Sequence, residues 1–201
     1  MSDRFKDMKK VRQEPAAKLL SEANAKLQTK IAAPASALPD VVLTELDEKG
    51  AVVDMLRLMS IALPPRERVW WACLAARDFV GPAPENSTPS LDAAEAWVFK
   101  PTEENRERAA EAVEHADMED ETTKCALAAL YSTGKLGVGD MDQHAAPPGG
   151  AETMAFVMNL VSLGEMEGDF EVNIQMMIDR AIDIGRGGNG RLDKADAVEE
   201  T

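Results

Sequence analysis

Residues 170–184 read Phe170-Glu171-Val172-Asn173-Ile174-Gln175-Met176-Met177-Ile178-Asp179-Arg180-Ala181-Ile182-Asp183-Ile184. Phe170, Ile174, Met177, Ala181 and Ile184 recur at spacings of 4, 3, 4 and 3. Such spacing lays them along one stripe of an α-helix. The seam is too short for a coiled coil, so the helix is expected to pack onto a body. Gly185 to Gly190 ends it. The polar residues 189–201 then read as a disordered tail, because they carry too little apolar surface to order themselves.

The same period continues upstream. Met154, Val157, Met158 and Val161 form a helical face that stops at Gly164. Before it lies a loop, Gly137 to Gly150, and before that an apolar segment, Cys125 to Tyr131, closed by Gly134. Residues 101–123 carry nine acidic and two basic side chains, so a helix there is expected on the surface. Thr102 after Pro101 reads as its N-cap, with Glu103 and Glu104 where the helix dipole favours negative charge. Thr88-Pro89 reads as another cap and first turn, and Pro64-Pro65 as a stop and a start. The helix from Pro65 to Val80 has apolar groups on nearly every face, which makes it central.

Val41–Leu46 and Ala51–Leu63 read as two buried helices around Gly50. Val41-Val42-Leu43 alone has strand character, but no alternating partner strand exists. Pro34 to Pro39 is a linker. From Ala16 to Ile31, Leu20, Ala23, Leu27 and Ile31 predict one further helix. Residues 1–30 hold eight basic and four acidic side chains. That asymmetry reads either as a basic arm folded on an acidic body or as a solvated helix. The expected architecture is all-α: an irregular bundle of seven to nine helices, with a charged segment 1–14, one helical domain 15–188 and a tail 189–201. The expected core includes Leu20, Leu27, Leu56, Met59, Val69, Trp70, Leu74, Trp97, Leu127, Leu130, Val157, Val161, Phe170, Ile174 and Met177.

The whole chain has 201 residues, 45% hydrophobic and 29% charged, which is globular composition. Lys and Arg number 22 against 36 Asp and Glu, a net charge of −14. So acidic a surface repels phosphate backbones and anionic lipid, so neither nucleic acid nor a membrane surface is expected as a partner. The longest stretch without Asp, Glu, Lys or Arg is Thr153–Gly164, twelve residues, well short of the roughly 20 that a membrane-spanning helix needs. Met1 to Asp7 leads into no apolar stretch, so a cytoplasmic location is expected. Cys73 and Cys125 sit in apolar surroundings without a CxxC and read as reduced core thiols.

Catalytic and cofactor signatures are largely absent. His115 and His144 have no second His or Cys three or four residues away, so no metal site is expected. Asp140-Met141-Asp142 begins like a calcium loop, but Ala145 and Ala151 occupy positions that need Gly and Glu. Gly134-Lys135 lacks the rest of a P-loop, and Gly185–Gly190 follows a helix rather than the strand of a dinucleotide site. No GxSxG occurs. The reading is of a chain with no cofactor and no enzymatic activity.

One constellation stands out. Arg66, Arg68 and Arg77 surround Trp70-Trp71 on one helix, Trp97 lies on the next, and Glu104 and Asn105 open the one after. Trp and Arg are the residue types of binding hot spots, and Arg68 at i,i+3 from Trp71 is placed for a cation–π contact. Adjacent tryptophans point about 100° apart on a helix. At least two of the three are expected in the core, with Arg77 ion-paired at its edge. Trp71 or Trp97 is expected to line a protein-binding groove, with Arg66, Arg68, Arg77, Glu104 and Asn105 around it.

Pro64-Pro65-Arg66-Glu67-Arg68-Val69-Trp70-Trp71-Ala72-Cys73-Leu74-Ala75-Ala76-Arg77 resembles the hallmark segment of an uncharacterised family of bacterial cytoplasmic proteins. Ala94-Glu95-Ala96-Trp97-Val98 with Pro101-Thr102-Glu103-Glu104-Asn105-Arg106 resembles its second hallmark, and Ala181–Gly188 is similar to its close. The match spans residues 16–188. It brings no enzymatic activity. Members of that family are often encoded near type VI secretion components, beside PAAR-like spike tips and effector adaptors. The resemblance therefore implies an adaptor or chaperone for effector loading or assembly, with a spike-tip, adaptor or effector protein as partner. An immunity-type inhibitor of a basic toxin is the alternative, and a hydrolase using surface carboxylates is a third.

Overall fold

Proline and threonine punctuation sets the helix starts. In the computed structural model, which describes residues 3–192, Pro39, Pro65 and Pro89 each open a helix. The missing N–H of proline costs nothing in a first turn. Thr88 and Thr102 accept from the backbone N–H of Leu91 and Asn105, and Asp169 accepts from Glu171 and Val172. The described residues form nine α-helices: α1 (Ala16–Glu22), α2 (Pro39–Glu48), α3 (Val52–Ala62), α4 (Pro65–Val80), α5 (Pro89–Phe99), α6 (Glu103–Glu114), α7 (Thr123–Tyr131), α8 (Gly150–Glu165) and α9 (Phe170–Arg186). They contain no strand, only an isolated bridge between Lys135 and Ala145. The all-α bundle expected from periodicity is the fold found. Among the described residues, no helix is long and apolar enough to cross a membrane.

Two apolar cores share α4 and α8. The first is built of Leu, Met and Ile from α2, α3 and α9, closed by Trp71, Leu74 and Phe156. The second takes the other face of α4, Val69, Ala72, Cys73 and Ala76, against α5, α6 and α7. Ala93, Ala94, Ala109, Ala126, Ala128 and Ala129 dominate it, and Trp97 fills the space that such small side chains leave. This is how a chain that is 4% aromatic fills a core: alanine lets helices approach closely. Cys73 and Cys125 are both free and buried in this second core. Burial pushes the Cys73 thiol well above its ordinary range, with Cys125 adding to the effect.

The basic start folds onto the body and is not a solvated helix. Phe5, Met8 and Val11 are buried in the first core. Arg4 reaches Asp47 at 2.8 Å and Asp179 at 2.7 Å. The arm also hydrogen-bonds through its backbone, Lys10 N–H to Gly185 O and Arg12 N–H to Ala62 O.

The helix expected over 16–31 stops at Glu22. Asn24 adopts a left-handed φ of 49°, which Asn tolerates, and the chain leaves in an irregular run. Carboxylates replace helical carbonyls as partners for that run. Asp54 accepts from the backbone N–H of Gln28 and Thr29, and Glu45 from Ala32 and Ala33. Leu20 and Leu27, expected in the core, are only half-buried, as are Leu127, Val157 and Val161. Phe170 is 52% exposed, because the first turn of α9 lies in solvent and the seam meets the core only from Ile174.

The chain past Gly188 is not loose where it is described. Gly190 N–H donates to the Asp183 carboxylate, and Gly190 O accepts from the buried Arg180 guanidinium. The rest of the expected tail, 193–201, lies outside the described residues.

Candidate functional site

Trp70 is the tryptophan that meets solvent. It touches both cores with one side and is half-buried, while Trp71 has no exposed surface and Trp97 only 5%. Two of the three tryptophans are in the core, Trp97 among them as expected, but Trp70 and Trp71 exchange their expected places. Trp71 donates its indole N–H to Met177 O and Trp97 packs inside the alanine-rich core, so neither lines a groove. On α4 the second-core face runs through 69, 72, 73 and 76 and the first-core face through 71, 74 and 75, and Trp70 sits at their outer margin. Arg66, one turn back on the same strip, marks that side as wet.

Around Trp70 three separated segments build a groove of about 490 Å³. The end of α5 contributes Phe99, a ring 69% exposed, whose centroid is 6.1 Å from that of Trp70 at 57°. Phe99 is held in place by its backbone. Arg66 Nε donates to Val98 O at 2.6 Å, and Asn105 Nδ2 to Ala96 O and Lys100 O, satisfying carbonyls that the end of α5 leaves open.

The glycine run after α9 builds the opposite wall. Gly187 at φ 107° and Gly190 at φ 70° turn the chain back over α4. A Cβ on Gly188 would lie 2.1 Å from the Asp183 carboxylate, and one on Gly190 2.7 Å from Ile184. The path brings Asn189 O to the Trp70 indole N–H at 2.7 Å and stacks the Arg191 guanidinium 5.5 Å from the ring centroid. From the arm, Lys10 pairs with Glu67 at 2.9 Å and closes the remaining side.

The electrostatics of this groove oppose the average of the chain. Lys10 and Glu67 neutralise one another. Arg66 and Arg191 line the groove and make no ion pair among the described residues, on a protein of net charge −14. The described lining residues include no His, Cys, Ser or Thr. Apolar rings with a few fixed polar groups are the makings of a recognition surface.

The other candidate site residues serve the scaffold. Arg68 is 3% exposed and donates to Ser60 O, Ile61 O and Leu63 O at the end of α3, with Glu152 at 2.9 Å. Its guanidinium is turned to those carbonyls, and the expected contact with Trp71 is not among the cation–π pairs of the described residues. Burial pulls its pKa down to about 10 despite Glu152. Arg77 pairs with Glu95 at 2.7 Å and ties down the loop after α4, as its expected place at the core edge requires. Asn105 ends α5, and Glu104 is exposed in the first turn of α6. Of the expected set, Arg66 alone lines the groove; Trp70, Phe99, Lys10, Asn189 and Arg191 were not in it.

A family model described as a family of unknown function, DUF6931, matches residues 42–185. The chain belongs to DUF6931. Membership in an uncharacterised family agrees with the resemblance read from the sequence. No curated protein and no solved structure matches the chain. Arg66, Glu67, Trp70, Phe99 and Ile184 fall inside the DUF6931 match, whereas Lys10, Asn189 and Arg191 are supplied by segments outside it.

Proposed function

We propose that this protein is a non-catalytic binding module that holds another polypeptide at the groove between α4, the end of α5 and the glycine run after α9. One observation carries the reading: two aromatic rings, Trp70 and Phe99, are left side by side at the surface of a chain poor in aromatics, in a groove whose described lining holds no His, Cys, Ser or Thr. Exposing Phe99 forgoes roughly 1.5–3 kcal/mol of burial, which contact with a partner would recover. The setting that the sequence resemblance implies is cytoplasmic, as an adaptor or chaperone for a type VI secretion effector, spike-tip or adaptor protein.

The test compares the tagged chain with Phe99→Asp in lysate of the native host. A protein retained by the wild type and lost with Phe99→Asp, while both melt within about 0.5 kcal/mol of each other, supports the reading. Secretion-apparatus proteins among those lost place it in that setting, whereas a toxin would make it an immunity protein. Identical retention by both forms overturns it.

A further inference from the structure

We infer that the groove takes an acidic linear segment of its partner, one apolar side chain flanked by carboxylates. This rests on the binding role proposed above and goes beyond it by fixing the chemistry of the occupant. The overall charge of −14 points toward a basic client, but the groove points the other way. Arg66 and Arg191 both line the groove with Trp70 and have no ion-pair partner among the described residues, and the one carboxylate in the described lining, Glu67, is already engaged by Lys10. A lysine-rich segment entering here would meet two guanidinium groups and, among the described lining residues, no available anion. An acidic segment would neutralise both. The surrounding negative surface would hold it in register, since any other placement on this protein opposes its charge.

The apolar half of the site sets the second requirement. Trp70 and Phe99 present tilted faces, and the cavity of about 490 Å³ is in the range that holds one large side chain with its neighbouring backbone. A ring or branched aliphatic group laid against this contacting pair of rings would bring adjacent carboxylates toward Arg66 and Arg191, where planar guanidinium groups offer paired donors.

The experiment is fluorescence anisotropy on the full chain with three labelled peptides of about eight residues: phenylalanine between aspartates, phenylalanine between lysines, and alanine between aspartates. The first is expected to bind at least about ten-fold more tightly than either other, and to weaken as salt is raised. Arg191→Glu, an exposed position, should cost at least about ten-fold, as should Phe99→Ala. Equal or better binding of the lysine peptide, or indifference to Arg191→Glu in a normally melting variant, overturns the inference. So does tighter binding of a synthetic copy of residues 193–201, which would make this chain's own acidic end the occupant. Should Phe99→Asp still lose a captured partner while no acidic peptide binds, the occupant's chemistry is wrong and the binding role stands.

Discussion

Trp71 has no exposed surface and donates to Met177 O, whereas its neighbour Trp70 is only half-buried and donates to Asn189 O, so the same substitution acts differently at the two positions. Trp71→Ala opens a cavity at the centre of the first core and is expected to cost ~3–5 kcal/mol, a large part of the stability of an ordinary domain. Trp70→Ala loses partial packing and a hydrogen bond at the surface and should cost about 1–2 kcal/mol. Urea melts of the two variants check this order, and equal costs would contradict it. Iodide separates the rings as well. Being an anion, it is drawn toward Arg66 and Arg191, so nearly all quenching in the native protein should come from Trp70 and vanish in Trp70→Phe. Reading this from sequence required knowing which margin of α4 was left uncovered. Apolar residues occupy almost every position of that helix, so periodicity shows it to be central without showing which ring faces out. Arg66, one turn before Trp70, was the available sign.

At the scale of elements, helix starts were legible and irregular connections were not. Threonine caps and first-turn prolines act locally, through one side chain and the backbone next to it, so Thr88, Thr102, Pro65 and Pro89 could be read directly. The run after α1 depends on partners far along the chain: Asp54 for residues 28 and 29, Glu45 for residues 32 and 33. Its apolar spacing imitates a helix that the backbone does not form. Glu45 is the joint there, held at about 2 by Lys49, with the N–H groups of Ala32 and Ala33 adding to the effect. A carboxylate so depressed stabilises the fold fully above its ordinary value of 4.5 and loses that contribution as pH falls toward 2. The stability gap between wild type and Glu45→Gln should therefore be constant above about pH 5 and close below it; a gap unchanged at about pH 2.5 would contradict the tether. The glycine run was legible only as a stop. Its second role, turning back to wall the groove, hangs on Asp183, which accepts from Gly190 N–H and leaves no room beside Gly188. Gly188→Ala should release that wall, so Trp70 becomes more open to iodide while α9 itself stays folded by circular dichroism. Unchanged quenching would show that the wall does not depend on this turn.

For the whole molecule, the question is whether two cores make two units. Their compositions differ, one of leucine, methionine and isoleucine, the other mostly of alanine around Trp97, and each excludes water separately. Yet α4 gives one face to each, and α8 does the same, with Phe156 in the first core and Ala155 and Met158 in the second. Losing either core strips one face from both shared helices, leaving apolar surface that the surviving half cannot cover. Unfolding should accordingly be a single cooperative transition. The chain carries its own reporters for this. Trp71 belongs to the first core, and Cys73 and Cys125 to the second. Both thiols are buried, and the raised pKa of Cys73 holds it in the unreactive protonated form, so modification waits for opening. In urea, the loss of Trp71 fluorescence, followed in a background where Trp70 and Trp97 are both replaced by phenylalanine, and the exposure of the thiols to a disulfide reagent should share one midpoint and one slope. Thiols that react at a lower urea concentration than the Trp71 transition would mean that the alanine-rich core opens on its own. The groove would then bridge a stable unit and a labile one, since Phe99 rides on α5 of the second core and Ile184 belongs to the first.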